Sequence, residues 1–355
     1  MSEKVGIILV NYQDYANKFL AACRDSLRLQ TYSSENILVY IVDNASTPES
    51  LNFLQTSYPE AIILPRTDGN YAAANNLGFR RAISDNCEYL VSVNMDTEMD
   101  SNWLLELVKA LDNNPEAGIA QSKILLYPPN SEDKKNPKIN SLGNIIHFLG
   151  FGFTSFYGEN DREIKGYPEI NGYASGCSFI IRSQVFEKIG GYNEEFYMYH
   201  DDIELSLKTK LSGSKIILAP QSVISHKYEF SRSINMVYYM ERNRYLLMLT
   251  FYPTYFLILI ALPCLLMDIG MLFFSIIHGW FASERKIYSY FIKQQNYVKI
   301  YQTRKMIKKF QVVKFSNLAR HFSGRIEFKE ISNPILSYLV NPLLSLYWSL
   351  IKRFI

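Results

Sequence analysis

The first 111 residues alternate between two hydrophobic periods, and this alternation limits the possible folds more than any other feature of the chain. Four short apolar runs are typical of buried strands: 5–10, 37–42, 61–64 and 89–93. Three segments carry apolar residues at helical spacing: 15–29, 71–83 and 102–111. This alternation predicts an α/β fold with a mostly parallel sheet and helices on both of its faces.

Polar clusters directly follow the four predicted strands. They lie at 11–14, 43–47, 67–70 and 94–97. In α/β sheets of this kind, ligands bind beyond the carboxyl ends of the strands. The sequence therefore predicts a ligand site formed by these clusters.

The middle of the chain is less regular. Residues 127–170 are rich in Pro, Asn, Gly, Lys and aromatic residues without clear periodicity, which predicts long loops and a hairpin. Regular structure is predicted to resume with a strand at 176–181 and helices at 183–189 and 201–211. Two short strands, 216–219 and 223–225, are predicted to follow and to end before a histidine at position 226.

Three features could carry chemistry, and each has a common structural alternative. Asp96 follows a buried strand, where a carboxylate can bind Mg²⁺ or Mn²⁺ attached to a diphosphate, or can simply cap a helix. Asp201, Asp202 and Glu204 begin a helix, which the helix dipole favours, yet a crowded carboxylate can also accept a proton from an alcohol. His226 ends a strand, where packed or surface histidines are more common than metal ligands.

The order of these features resembles the inverting nucleotide-sugar glycosyltransferases of family 2, which have the GT-A fold. The likeness covers about residues 4–245 and includes Gly69-Asn-Tyr-Ala-Ala-Ala-Asn-Asn-Leu-Gly78, Val93-Asn-Met-Asp-Thr97 and Gly176-Cys-Ser-Phe-Ile-Ile-Arg182. Further matching blocks are 7–12, 42–46, 190–205, His226 and Arg242-Asn243. Within the family the chain is most similar to the rhamnosyltransferase-like branch that builds bacterial surface polysaccharides.

The resemblance implies a set of donor-binding residues. Asp43 would bind the base or ribose of the donor, and Asn11 and Asn75 would make further nucleotide contacts. Asn94 occupies a donor-binding position where the stricter family motif has an aspartate.

The resemblance also implies the metal ligands and the catalytic base. Asp96 would hold Mg²⁺ or Mn²⁺, and His226 would complete the metal site. Asp202 would be the general base, with Asp201 in place of the family's glutamate and Glu204 as a further supporting carboxylate.

The implied activity is a metal-dependent, inverting transfer of a sugar from a nucleotide-diphosphate donor, such as dTDP-rhamnose or a UDP-sugar. The acceptor would be a hydroxyl of a polyprenyl-linked or polysaccharide glycan in cell-surface glycan synthesis. A sugar-phosphate nucleotidylyltransferase would instead need a Gly-rich, basic loop where this chain has Asn11-Tyr-Gln-Asp14. A non-catalytic, membrane-bound sugar-binding scaffold is the other alternative.

An apolar stretch precedes a basic region near the end of the chain. Residues 251–280 contain one charged side chain, Asp268, and exceed the roughly 20 residues that a spanning helix needs. Residues 281–330 carry 12 Lys or Arg against 3 Glu, and their position after an apolar stretch favours an anionic membrane surface over nucleic acid as the partner. Residues 335–355 read as an interfacial helix.

A single membrane pass would put the basic region on the side opposite a cytosolic catalytic domain, against the positive-inside tendency. The sequence therefore favours a re-entrant or in-plane helical hairpin, with a buried helical pair in a soluble domain as the alternative. The predicted divisions are a GT-A domain at 1–245, an apolar membrane-inserting segment at 246–281 and a basic, amphipathic region at 282–355. Widely spaced cysteines and the absence of a signal-peptide pattern predict a location at the cytoplasmic face of the membrane.

Overall fold

The computed structural model describes residues 3–128, 130, 133–227, 234–277, 279–327 and 334–355. Three residues of the predicted loop segment (129, 131 and 132) and three residues of the basic region (328–330) lie outside the described residues.

The strands of the described residues divide between a large mixed sheet and a small antiparallel ribbon. In chain order they are β1 (Val5–Asn11), β2 (Ile37–Asp43), β3 (Ile62–Pro65), β4 (Tyr89–Val93), β5 (Thr97–Met99), β6 (Ala117–Leu126), β7 (Ile139–Ser141), β8 (Asn144–Ile146), β9 (Gly152–Thr154), β10 (Ser178–Arg182) and β11 (Lys215–His226). The large sheet has the order β3-β2-β1-β4-β10-β6-β11-β5 with β7 beside β6, and β8 and β9 form the ribbon.

The α-helices of the described residues alternate with these strands and then continue alone. They are α1 (Tyr15–Arg28), α2 (Pro48–Ser57), α3 (Tyr71–Ser84), α4 (Trp103–Asp112), α5 (Ser183–Ile189), α6 (Asp201–Leu211), α7 (Ile234–Phe251), α8 (Thr254–Ile277), α9 (Phe281–Ile292), α10 (Gln294–Phe310), α11 (Phe315–Ala319) and α12 (Asn341–Ile351). A π-helical turn at Leu336–Val340 leads directly into α12.

The α/β prediction is confirmed. Strands β3, β2, β1 and β4 are all parallel, and β6 and β11 form a second parallel pair. Antiparallel β10 joins the two groups because it pairs with β4 on one side and β6 on the other. Successive residues of β1 face opposite sides of the sheet, with Ile8 in one buried cluster and Ile7 and Leu9 in the other. Both faces of the sheet are therefore covered.

The strand prediction differs from the structure in several places, including the short strands β5 and β7, which it lacks. The ten-residue strand β6 is absent from the prediction, because it mixes small and polar residues such as Gly118, Gln121 and Ser122 with apolar ones. The two short strands predicted at 216–219 and 223–225 are one strand, β11, with a bulge between Ala219 and Val223. The hairpin predicted within 127–170 is present as β8 and β9.

The C-terminal helices differ from the predicted hairpin. Helix α8 is a single helix of 24 residues that continues through Pro263, so the expectation of a helical hairpin within 251–280 is wrong. Among the described residues, α8 is the one helix that is long and apolar enough to cross a membrane. Helix α7 runs through position 245, and the domain limits given above remain predictions.

Candidate active site

The ends of two neighbouring strands bring the carboxylate segments together. Strand β10 is antiparallel to β4, and its first residue, Ser178, pairs with the last residue of β4, Val93. The segment that leaves β4, 94–96, therefore starts beside the segment that enters β10, 176–177. A backbone hydrogen bond of 3.0 Å from the Asn94 N–H to the Cys177 carbonyl joins them.

Asp96 and His226 form a buried pair at this edge. Strand β5 is antiparallel to β11 with Thr97 opposite His226, which brings the adjacent Asp96 to the imidazole. The Asp96 Oδ2 atom lies 3.1 Å from His226 Nε2, and His226 Nδ1 lies 3.0 Å from Asn140 Oδ1. Asp96 Oδ1 is buried and has no hydrogen-bond partner among the described residues. The pair thus presents one carboxylate oxygen that the protein leaves unused.

The surroundings of His226 favour its charged form. Burial disfavours the imidazolium, but Cys177 and Asp96 outweigh that effect and raise the pKa of His226 to about 10. Tyr15 also lies beside Asp96. Burial raises the pKa of the Tyr15 phenol, and the nearby Asp96 carboxylate raises it further. Within the described residues, no group of three or more His, Cys, Asp or Glu side chains could by itself hold a metal ion.

Asp202 approaches the same 176–177 segment from the other side. It lies in the first turn of α6, where Oδ1 accepts a hydrogen bond of 2.9 Å from the Ile203 N–H. Its Oδ2 faces the Gly176 N–H at 3.4 Å. Burial raises the pKa of Asp202 to about 6, despite these N–H groups. Gly176 and Cys177 therefore link Asp202 to the Asp96–His226 pair.

The two supporting carboxylates have different surroundings. Asp201 is buried, and burial followed by the charge of Asp202 raises its pKa well above the usual range. Glu204 is fully buried and forms an ion pair of 2.8 Å with Lys208, which is also fully buried. A second Glu204 oxygen accepts from the Asn193 N–H. Glu204 thus stabilises the turn before α6.

A strained loop precedes Asp201. Tyr197, Tyr199 and His200 have φ angles of +65°, +64° and +60°, which cost about 1–2 kcal/mol for each non-glycine residue. Burial lowers the pKa of His200 to about 4, so its ring is neutral near pH 7 and can donate to the Gly150 carbonyl at 3.2 Å.

Helix α7 holds this loop from behind. The Asn243 amide nitrogen donates to the carbonyls of Phe196, Met198 and Tyr199 at 2.7, 2.8 and 2.7 Å. Arg242 donates to the Glu195 and Phe196 carbonyls at 2.7 and 3.0 Å. Asn243 is fully buried, so these bonds are shielded from water. They offset part of the strain in the 195–200 loop.

Asn11 and Asp43 form a second polar pair at the strand ends. They are opposite each other in the β1–β2 register, and Asn11 Nδ2 donates to Asp43 Oδ1 at 2.8 Å. Ser50 donates to the other Asp43 oxygen. A cavity of about 380 Å³ lies beside them, with Ala45 and Phe53 among its lining residues. Of the two predicted nucleotide-binding residues, Asn11 thus lines a cavity, and Asp43 is hydrogen-bonded to two residues that line it, Asn11 and Ser50.

Asn75 and Asn94, which are predicted to bind the sugar donor, differ in their burial. Asn75 is fully buried in α3, where it donates to the Tyr71 carbonyl at 3.0 Å and accepts from Ser92. Asn94 is partly exposed and accepts a hydrogen bond of 3.3 Å from the Tyr71 hydroxyl. Asn94 therefore has access to a ligand in this structure, whereas Asn75 supports the layer beneath it.

Five residues of the site have no assigned role in the sequence analysis: Tyr15, Tyr71, Asn140, Cys177 and Asn243. Tyr71, Cys177 and Asn243 belong to segments that carry the family resemblance, so a signal was present without a role. Asn140 lies in the region predicted as loops, and its contact with His226 depends on strand pairing that the sequence does not specify.

A comparison with known protein families decides the identity of the fold and the enzyme class. Residues 6–190, more than half of the chain, match the family described as Glycosyl transferase family 2. The chain belongs to this family. The resemblance is confirmed, and the chain is a glycosyltransferase rather than a nucleotidylyltransferase or a non-catalytic scaffold.

Similar proteins of several organisms act in glycan synthesis, according to their names. The O-antigen biosynthesis protein RfbC of Myxococcus xanthus is 27% identical over 240 residues, covering 65% of this chain and 18% of that protein. The N-acetylglucosaminyl-diphospho-decaprenol L-rhamnosyltransferase of Mycobacterium tuberculosis is 23% identical, covering 64% and 76%. The low-salt glycan biosynthesis hexosyltransferase Agl10 of Haloferax volcanii is 26% identical, covering 69% and 76%. The chain thus spans less than a fifth of the Myxococcus protein.

A solved structure supports the predicted GT-A fold. The crystal structure of GalNAc-T7 with UDP, GalNAc and Mn²⁺ superimposes with a TM-score of 0.51 at 15% sequence identity. The alignment covers 67% of this chain and 48% of that chain. At this identity the likeness concerns the fold, and the GT-A prediction is confirmed.

The contacts of Asn243 generate a prediction about stability. We expect Asn243→Ala to lower the free energy of unfolding by about 1–3 kcal/mol, because one buried and two half-buried carbonyls of a strained loop lose their donor. Urea denaturation measures the change. The exposed Asn52→Ala on α2 is the matched control and should change stability by about 0.5 kcal/mol or less. Equal stability of the two variants would contradict the role given to Asn243.

Proposed function

We propose that this family 2 enzyme transfers a sugar from a nucleotide-diphosphate donor to an acceptor hydroxyl with inversion of the anomeric centre, and that it needs Mg²⁺ or Mn²⁺. The observation that carries the proposal is the meeting of the Asp96–His226 pair and Asp202 at Gly176 and Cys177. A metal-binding group and a base are the two elements that a single displacement requires from the protein.

The chemistry of Asp96 and His226 fits a divalent metal. Asp96 Oδ1 is buried without a hydrogen-bond partner among the described residues, and the His226 imidazole next to it would release a proton when a metal binds. Carboxylate oxygens suit both ions, and an imidazole ligand is more typical of Mn²⁺ than of Mg²⁺. Two protein ligands leave coordination positions for the donor diphosphate and water. When bound, the metal would neutralise the charge that develops on the departing diphosphate.

The donor nucleotide is proposed to bind at Asn11 and Asp43. The cavity of about 380 Å³ beside these residues is large enough for part of a nucleoside. Asn94 and Asn75 are also proposed to take part in binding the nucleotide-sugar donor. Asn94 would contact the donor directly, and Asn75 would act by holding Tyr71, whose hydroxyl bonds to Asn94.

Asp202 is proposed to act as the general base, with Asp201 beside it. Its carboxylate takes the proton of the acceptor hydroxyl while the hydroxyl oxygen forms a bond to the anomeric carbon. The bond from that carbon to the diphosphate oxygen breaks, and the electron pair leaves with the nucleotide diphosphate. A raised pKa suits this task because a more basic carboxylate accepts a proton more readily. Glu204 contributes through its ion pair with Lys208 rather than by touching substrate.

The proposed donors are dTDP-rhamnose or a UDP-sugar, and the proposed acceptor is a polyprenyl-linked or polysaccharide glycan of the cell surface. The names of the Mycobacterium rhamnosyltransferase and the Haloferax hexosyltransferase support this substrate class. The enzyme is proposed to work at the cytoplasmic face of the cell membrane. The apolar helix α8 supports this location.

The donor and the metal dependence can be tested together. We expect release of nucleotide diphosphate from dTDP-rhamnose or one UDP-sugar in the presence of Mn²⁺, and little release after chelation with EDTA. A coupled phosphate-release assay with a panel of nucleotide sugars measures this. Equal release with and without metal would contradict the metal requirement, and release from no donor in the panel would contradict the donor class.

Removal of the proposed base should stop transfer. We expect Asp202→Asn to lower turnover by about 100-fold or more, while donor affinity measured by calorimetry is unchanged. Turnover of the wild type should rise with pH through about 6 and then level off, because the Asp202 carboxylate accepts a proton only when ionised.

A remote aspartate provides the control for this variant. Asp25→Asn changes an exposed carboxylate on α1 and should keep the turnover and pH profile of the wild type. Normal turnover of Asp202→Asn, or a rate that is constant between pH values below and above 6, would remove Asp202 from the mechanism.

Loss of the histidine should weaken metal binding directly. We expect His226→Gln to lower the affinity for Mn²⁺, measured by electron paramagnetic resonance of the free ion, by roughly tenfold or more. The exposed His321→Gln is the matched control and should bind Mn²⁺ like the wild type. Identical Mn²⁺ binding by both variants would show that His226 is not a ligand.

A further inference from the structure

Helix α8 packs against the protein through one face. Phe256, Ile260 and Pro263 are buried at helical spacing, and Ser275 is buried near the end of the helix. Residues 264, 267, 268, 271 and 272 between them are half-buried. The opposite face consists of exposed apolar side chains: Ile258, Leu262, Leu265, Leu266, Ile269, Phe273 and Ile276. These side chains are exposed by 57–70%. The helix therefore lies against the protein instead of projecting from it, and it presents a continuous apolar face outward.

A second helical segment extends this apolar surface. Residues 335–354 expose a further set of apolar side chains: Ile335, Tyr338, Leu339, Leu343, Leu346, Leu350 and Phe354. Helix α12 contacts α8 through the Tyr347 hydroxyl, which donates to the Leu259 carbonyl at 2.6 Å. Trp348 of α12 lies 6.1 Å from Phe256 of α8, and it stacks on Phe148 beneath. The two helices are thus in contact, and each of them exposes an apolar face. We name these exposed faces of α8 and 335–354 the apolar platform.

The chain returns to the catalytic domain directly after α8. Tyr290 of α9 donates to Glu195 at 2.8 Å, and Lys299 of α10 forms an ion pair with the same residue at 2.7 Å. Further along, the Val312 N–H donates to the Leu211 carbonyl at the end of α6. Both ends of α8 are thus attached to one folded unit. A single pass through a membrane would separate these contacts.

Within residues 254–292 and 335–355, the exposed charged side chains among the described residues are all positive. The two acidic residues of 254–292 point inward: Asp268 pairs with the buried Arg244, and Glu284 is buried. The exposed charged side chains that follow α8 are Arg285 and Lys286, and those that follow α12 are Lys352 and Arg353. Such a combination of apolar side chains and cations matches a bilayer with anionic head groups.

We infer that the apolar platform inserts into the cytoplasmic leaflet of an anionic lipid membrane, with α8 lying in the plane of the membrane and not across it. The inference rests on the proposed membrane location of the enzyme and deepens it. The occupant of the platform is a lipid surface, and a second copy of the chain is the competing occupant to be tested.

Vesicle flotation tests the platform. The full-length wild type should float with vesicles of phosphatidylcholine and phosphatidylglycerol and less with phosphatidylcholine alone. Leu265→Glu with Ile269→Glu should lower the bound fraction by about tenfold or more, because two carboxylates would enter the apolar layer. Leu29→Glu, directly after α1, changes an even more exposed leucine far from the platform in the chain and should bind like the wild type.

A second variant and a second measurement guard against misfolding. Leu343→Glu with Leu346→Glu alters the other half of the platform and should have the same effect on flotation. Thermal unfolding and nucleotide-diphosphate release should match the wild type in both double variants, because all four side chains are exposed and lie outside the proposed active site.

Labelling from one side of a sealed membrane tests the orientation of α8. In a Cys264→Ala background the three remaining cysteines are buried. In inverted inner-membrane vesicles, a membrane-impermeant maleimide should label Leu29→Cys before α8 and Ala282→Cys after it to the same extent. Labelling of Leu29→Cys alone would show that α8 crosses the membrane and would overturn the in-plane inference.

The outcomes separate this inference from the proposed function. If the wild type binds no vesicles, the proposed membrane location fails and the platform fails with it. If wild type and platform variants float equally, only the platform is overturned. If the substitutions instead convert a dimer into a monomer, measured by light scattering, without changing flotation, the platform is an interface between copies and the inference is wrong.

Discussion

The antiparallel direction of β10 is the constraint on which the site depends. Because β10 runs against β4, its first residues lie beside the last residues of β4. Gly176 and Cys177 therefore stand between the Asp96 loop and the start of α6, where Asp202 lies. Had β10 been parallel to β4, as β1 is, residues 176–177 would lie at the opposite edge of the sheet. The Asp202 carboxylate would then lose its N–H partner at Gly176, and the 176–177 segment would no longer link it to the Asp96–His226 pair.

Several local arrangements around this edge are unfavourable by themselves. Three non-glycine residues of the 195–200 loop have left-handed backbones, and two adjacent carboxylates are buried at the start of α6. Contacts from a later part of the chain offset these costs, since Arg242 and Asn243 satisfy the carbonyls of the loop. The surrounding fold thus holds the 195–200 loop in a backbone conformation that it would not adopt in isolation. Strain of this kind is common at functional sites because reactive groups must be held in position.

Much of the catalytic domain could be predicted from the sequence, since strands β1 to β4 and helices α5 and α6 follow plain hydrophobic periods. Strand β6 could not, because its polar residues are satisfied by tertiary contacts: Ser122 accepts from the Trp103 indole and bonds to Ser178 and Ser222. The i, i+4 spacing of Glu204 and Lys208 is visible in the sequence, but the complete burial of the pair is not.

The site was less accessible to sequence reasoning than the fold. Asp96 and His226 are 130 positions apart, and only the family resemblance brought them together before the structure did. The roles of Asn140 and Asn243 depend on contacts with distant segments, and no local pattern encodes them. Helix α8 has the length and composition of a spanning segment, whereas its packed face and the return of α9 and α10 to the catalytic domain argue for an in-plane position.

Helix α7 connects the proposed active site to helix α8. Asn243 holds the loop before Asp202, and from there α7 advances about 12 Å to its end at Phe251, three residues before α8 begins. Helix α7 thus separates the loop before Asp202 from the surface that would rest on lipid. If α8 rests on lipid as inferred above, the length of α7 would fix the height of the Asp202 carboxylate above the membrane surface.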